Sequence, residues 1–78
     1  MKMTAMDFVK STFKLKLRID GKFYNVEITP TEEEIWVPIA GTNYDVYMYL
    51  NDTSQVSIGV FTTMLQPQEF ELMSMKVS

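Results

Sequence analysis

The stretch from residue 13 to residue 28 specifies a β-hairpin together with its register. Apolar and polar residues alternate with a period of two on both sides of Asp20-Gly21. This dipeptide suits a two-residue turn that needs positive φ at both central positions. Such a turn places Leu17 opposite Tyr24 and gathers the apolar residues of both strands on one face. The hairpin therefore predicts a half-buried antiparallel sheet.

Further strands follow along the chain. Alternating apolar residues predict strands over 35–39, 44–50 and 56–60, separated by turn-forming residues. Pro38 indicates an edge strand or a bulge, because proline cannot donate to a ladder. The tail over 68–77 fits either a sixth strand with a bulge or a short helix that begins near residue 67. Residues 4–10 have the capping pattern of one or two helical turns.

The predicted pairings place seventeen apolar side chains on one inner face. Because these side chains form one core, we predict that residues 1–78 make a single domain. In it, residues 1–11 are an N-terminal segment or short helix and residues 12–77 are a β-meander. We predict an all-β fold, a small antiparallel five- to six-stranded bent sheet or partly open barrel in the SH3 and OB size class. The inward positions are Phe13, Leu15, Leu17, Ile19, Tyr24, Val26, Ile28, Ile35, Val37, Ile39, Tyr44, Val46, Met48, Leu50, Val56, Ile58 and Val60.

Composition restricts the chemistry that this chain can perform. It contains no Cys and no His, which removes the usual zinc ligands and the Cys or His pairs of nucleophilic catalysis. There is no glycine-rich phosphate loop. We therefore expect no enzyme activity, no cofactor and no metal. The first residues lack the continuous apolar run of a signal peptide, and no segment is long enough to span a membrane. The expectation is a cytoplasmic protein without a membrane partner.

Charge is divided unevenly along the chain. Residues 1–22 carry six cations against two carboxylates, a net of +4, whereas residues 23–78 carry one cation against eight carboxylates, a net of −7. Lys14, Lys16 and Arg18 alternate with the inward residues of the first strand. They form either the solvated face of that strand or a basic strip that docks on a complementary surface.

The outer positions of the predicted sheet carry aromatic residues where polar ones are expected. Three explanations are open. The terminal segments could cover these side chains, the side chains could form a patch for association with another molecule, or bases could stack on them. The predicted registers place Trp36 directly opposite Tyr47, with Gly59 next to Tyr47 on the following strand. The outer aromatic residues are Phe23, Trp36, Tyr47, Tyr49 and Phe61.

Glu32, Glu33 and Glu34 form the longest run of like charge. Consecutive carboxylates of an extended chain point to alternating sides, so they do not converge on one ion. The pattern favours a solvated turn over acidic mimicry of nucleic acid or metal binding.

These features favour a small non-enzymatic protein-binding module, such as a phage-type accessory or inhibitory protein that blocks a host protein through an aromatic and charged sheet face. One alternative is a single-stranded nucleic-acid-binding domain of OB or SH3 type, against which the sequence pI of 4.7 argues. Another is the structural subunit of a homo-oligomer. The residues predicted to bind the partner are Trp36, Tyr47, Tyr49, Phe23, Lys14, Lys16 and Arg18.

Overall fold

The structure is a computed structural model that describes residues 1–78. It contains one short helix and six strands arranged as two three-stranded antiparallel sheets, in the orders β2-β1-β6 and β3-β4-β5. The predicted all-β class is confirmed. The elements are α1 (Ala5–Lys10), β1 (Phe13–Ile19), β2 (Lys22–Ile28), β3 (Glu34–Pro38), β4 (Tyr44–Leu50), β5 (Val56–Thr62) and β6 (Glu71–Val77).

The first hairpin has the predicted register at every position. Leu17 pairs with Tyr24, and the seven pairs run from Phe13 with Ile28 to Ile19 with Lys22. Asp20 and Gly21 both have positive φ, 51° and 78°, as a two-residue hairpin turn requires.

The tail forms the sixth strand, so the helical alternative for this segment is wrong. β6 pairs antiparallel with β1, and the partners shift from Lys16 with Ser74 to Leu17 with Leu72. Met73 is therefore the extra residue of a bulge, which confirms the bulged strand. This pairing joins the two ends of the chain in one sheet.

The second sheet also keeps the predicted registers. Val37 pairs with Val46, and Val46 pairs in turn with Val60 on β5. The third strand ends at Pro38 instead of Ile39. Ile39 still donates its backbone N–H to the carbonyl of Tyr44 at 3.0 Å, but it begins the turn into β4.

One hydrophobic core lies between the two sheets. All seventeen predicted inward side chains are buried in it or packed against it. The core also contains Phe8 of α1, which is fully buried with its ring centroid 5.6 Å from that of Phe13. The side chain of Thr4 caps this helix by accepting the N–H of Asp7 at 3.1 Å. No helix has the length and apolar character needed to cross a membrane.

The shared core determines where the outer faces point. Because the inner faces of both sheets pack into one cluster, the outer faces point away from each other. The chain termini do not lie over the outer face of the second sheet. Residues 1–3 form backbone hydrogen bonds with residues 54–56, where β5 begins. The helix α1 packs Phe8 into the core. At the other end of the chain, β6 pairs with β1 in the first sheet.

Candidate functional site

The outer face of the second sheet is a grid of three rows, each containing one residue from β3, β4 and β5. The middle row joins a tryptophan, a tyrosine and a glycine, and the rows on either side each contain one carboxylate and one aromatic residue. The rows are Glu34, Tyr49 and Ser57; Trp36, Tyr47 and Gly59; and Pro38, Asp45 and Phe61.

Trp36, Tyr47, Tyr49 and Phe61 form one continuous group of rings on this face, which we call the aromatic cluster. The rings of Trp36 and Tyr47 stack with centroids 4.4 Å apart and planes 22° from parallel. Tyr47 and Tyr49 stack in the same way, at 4.8 Å and 20°. Offset stacking of this kind is a favoured arrangement of aromatic pairs and fixes the ring orientations.

Gly59 makes room for the fourth ring. The Phe61 side chain lies over it, so that a Cβ at position 59 would come within 2.9 Å of the Phe61 Cε1 atom. The Phe61 ring reaches Trp36, with centroids 5.2 Å apart and planes tilted by 55°. A glycine in the middle of a strand thus allows the ring of β5 to join the cluster.

The aromatic cluster is accessible from outside. Trp36 is 44% exposed, and Tyr47, Tyr49 and Phe61 are half-buried by one another and by the sheet. Covering by the terminal segments, one of the three explanations for outer aromatic residues, therefore does not apply to this face.

A carboxylate is fixed at the edge of the cluster. The Tyr47 hydroxyl donates to the Glu34 Oε2 atom at 2.8 Å. This hydrogen bond, partial burial of the hydroxyl and the negative charge of Glu34 raise the pKa of Tyr47 above its ordinary value. The Tyr47 hydroxyl holds the Glu34 carboxylate beside the rings.

The outer face of the first sheet carries the predicted cations. Lys14, Lys16 and Arg18 are exposed on β1. The Lys16 Nζ atom lies 5.1 Å and the Arg18 guanidinium 5.9 Å from the centroid of Phe23, within range of cation–π attraction. Arg18 also lies 3.4 Å from a carboxylate oxygen of Glu71.

The structure divides the predicted binding residues between two surfaces. Trp36, Tyr47 and Tyr49 lie together in the aromatic cluster. The other four predicted residues lie on the oppositely directed face of the first sheet, where two of the cations contact an aromatic ring of their own. They are Phe23, Lys14, Lys16 and Arg18.

Glu32 and Glu33 lie in an exposed bend that leads into β3, and Glu34 is the first residue of that strand. Nowhere do three or more carboxylates converge as the ligands of a metal ion. Sequence reasoning did not find the contact between Glu34 and Tyr47. The signal was present in the register, because a Glu34 side chain on the outer side of β3 lies one row from Tyr47 on β4.

Comparisons of this chain with protein-family models, curated proteins and solved structures give no significant match.

Proposed function

We propose that this chain is a non-enzymatic protein-binding domain that acts by occupying a surface of another protein, as a small accessory or inhibitory protein does. The observation that carries the proposal is the accessible aromatic cluster, with Trp36 and Tyr47 at its centre. Tryptophan and tyrosine are enriched among the residues that dominate interface affinity. Contiguous exposed aromatic surface is also uncommon on soluble monomers outside their interaction sites.

The positions of the charges favour a protein over a nucleic acid as the partner. Proteins that bind single strands place cations along the phosphates beside the rings on which the bases stack. Here the aromatic cluster lies beside Glu34 and Asp45, whereas Lys14, Lys16 and Arg18 lie on the other sheet. The phosphates of a strand whose bases stacked on the aromatic cluster would be repelled by these carboxylates.

The same carboxylates disfavour self-association through this face. In a two-fold symmetric dimer the same patch meets itself, so Glu34 and Asp45 of one copy would approach those of the other. Opposed like charges cost several kcal/mol in order of magnitude. We therefore propose a partner different from this chain.

The proposal is tested by capture with a matched control on the opposite face. Wild-type protein, Trp36→Ala and Phe23→Ala are immobilised and exposed to extract of the native host, and retained proteins are identified and purified. Phe23 is the suitable control because it is also an exposed aromatic side chain, at 56% compared with 44% for Trp36. We expect a protein that wild type and Phe23→Ala retain and Trp36→Ala loses. Retention by Trp36→Ala with loss by Phe23→Ala would transfer the site to the first sheet and contradict the proposal.

A further inference from the structure

We infer that the segment which docks on the aromatic cluster carries arginine, with its guanidinium groups stacked on the rings and paired with the neighbouring carboxylates. This inference rests on the proposed function, because it names the chemistry of the partner for that same face.

The first observation is the absence of compensating charge around the cluster. Residues 23–75 include the whole second sheet and contain no lysine, arginine or histidine. The one ion pair in the molecule joins Arg18 to Glu71 on the first sheet. The carboxylates that surround the aromatic cluster consequently have no cationic partner within the molecule. They are Glu32, Glu33, Glu34 and Asp45.

The second observation is an open groove at one end of the cluster. It is lined by Glu32, Glu33, Glu34, Tyr47, Tyr49 and Leu50. The Glu34 carboxylate accepts one hydrogen bond at Oε2, from Tyr47. Its Oε1 atom accepts none from the protein and is available to a donor on a partner. A carboxylate fixed beside stacked tyrosine rings therefore defines a position for a donor that also packs on an aromatic face.

Arginine has the chemistry that fits this position best. Its planar guanidinium stacks on aromatic rings and donates a fork of N–H groups to a carboxylate, whereas the ammonium of lysine is a strongly hydrated point charge. An apolar segment would bury the Glu34 carboxylate without a cationic partner, which costs free energy. An acidic segment would be repelled by the carboxylates.

The outer face of the first sheet carries Lys14, Lys16 and Arg18 and is called the cationic face. The cationic face of a second copy would fit the position beside Glu34 less well than an arginine of another protein. Its Lys16 and Arg18 already lie against Phe23, and Arg18 is paired with Glu71. Contact between the first sheet of one copy and the second sheet of the next would also be heterologous, and such contacts form open-ended assemblies unless the rotation closes. We therefore assign the arginine to a different protein.

The test uses the intact protein and two capped peptides, hexa-arginine and hexa-lysine, titrated calorimetrically and by Trp36 fluorescence. The key comparison is between Glu34→Gln and Glu27→Gln. Each removes one negative charge from an exposed strand position, but Glu27 lies on the outer face of the first sheet. We expect hexa-arginine to bind more tightly than hexa-lysine. Glu34→Gln should weaken hexa-arginine binding by roughly fivefold or more, and Glu27→Gln by less than about twofold. Trp36→Leu should weaken it by roughly threefold or more, because leucine keeps apolar bulk without a π face.

Each of the other outcomes overturns the inference. Equal losses for Glu34→Gln and Glu27→Gln would mean general attraction to an acidic protein. Equal affinities for the two peptides would exclude guanidinium stacking. An apparent molecular mass that rises with protein concentration in light scattering would indicate self-association. If Lys16→Ala abolishes that rise, the occupant is a second copy of this chain. If hexa-arginine does not bind while Trp36→Ala still loses a captured protein, the inference fails and the proposed function stands.

Discussion

Trp36 on β3 and Tyr47 on β4 face each other directly across the strand pair, and their rings stack with centroids 4.4 Å apart. A stacked pair of this kind contributes about 0.5–1.5 kcal/mol beyond its buried area. Tyr49 and Phe61 hold the two rings from either side. Because the side chains are fixed before a partner arrives, less conformational entropy is lost when they bind. The stack is thus suited to act as the rigid centre of an interface.

Quenching of Trp36, the one tryptophan in the chain, reports both its exposure and the charge around it. Its emission should be red-shifted relative to a buried indole, and acrylamide should quench it efficiently. Each ionic quenching constant is divided by its value for free N-acetyltryptophanamide, because iodide and caesium differ in intrinsic quenching efficiency. The relative constant should be larger for caesium than for iodide, because carboxylates surround the cluster and attract cations. This difference between the relative constants should vanish at high salt. Emission typical of a fully buried indole, or a larger relative constant for iodide, would contradict the geometry of this face.

Gly59→Ala should disrupt the aromatic cluster with little effect on folding. The new Cβ would meet the Phe61 ring, which can swing away because it is the end of a side chain. Gly59 has no positive φ, so we expect unfolding free energy to change by less than about 1 kcal/mol. Near-ultraviolet circular dichroism should change clearly.

The matched control for this prediction is the Phe61→Ala background. There the added Cβ meets no ring, so Gly59→Ala should leave the aromatic signal unaltered and the two substitutions should be strongly non-additive. The same spectral change in both backgrounds would show that Gly59 acts through something other than Phe61.

The pKa of Tyr47 should depend on Glu34. The hydrogen bond and partial burial favour the neutral hydroxyl in the folded state and raise the pKa of Tyr47. The stability from this contact is fully present below the unfolded-state pKa of about 10. It declines as pH rises from there through the raised folded value, because the unfolded state loses its proton first.

The dependence can be measured from tyrosinate absorbance, using the difference between wild type and Tyr47→Phe to isolate one titration. Glu34→Gln keeps an acceptor oxygen but removes the charge, so the pKa of Tyr47 should fall toward its ordinary value. Glu27→Gln should leave it unaltered. A pKa of Tyr47 that responds equally to both variants would show that net charge, and not the contact with Glu34, raises it.

Gly21→Val should destabilise the first hairpin through the backbone alone. No atom lies within 4 Å of a Cβ built at Gly21, but its φ of 78° is strained for a β-branched residue. We expect a loss of about 1–3 kcal/mol in denaturant unfolding. Gly21→Asn should cost less, because asparagine tolerates the left-handed region. Equal losses for the two variants would mean that the turn conformation is not the cause.

Much of this fold was predictable because its pairings are local. The turn at Asp20-Gly21 and the alternation beside it determine the first register, and short turns determine the two registers of the second sheet. The direct contact of Trp36 with Tyr47 follows from those registers.

Features that depend on contacts distant in the sequence were not predictable in the same way. The pairing of β6 with β1 joins residues 53 or more positions apart, and alternation within a strand does not identify its neighbour. Alternation also does not assign strands to separate sheets, so Phe23 and Trp36 were expected on one outer surface. Phe8 reaches the core from a single turn and a half of helix, which is too short for a hydrophobic period to indicate the face it buries.

The central claim is that the aromatic cluster, and not the cationic face, binds the partner, and that the partner is a protein. The most direct measurement is a paired titration of wild type, Trp36→Ala and Lys16→Ala, first with the purified captured partner and then with a single-stranded oligonucleotide at physiological salt. We predict that Trp36→Ala weakens partner binding by about 2 kcal/mol or more, while Lys16→Ala, on the other sheet, leaves the affinity and the association rate nearly unchanged. The contradicting result would be tight binding of the oligonucleotide by the wild type, together with weaker binding and a flatter dependence of log affinity on log salt for Lys16→Ala.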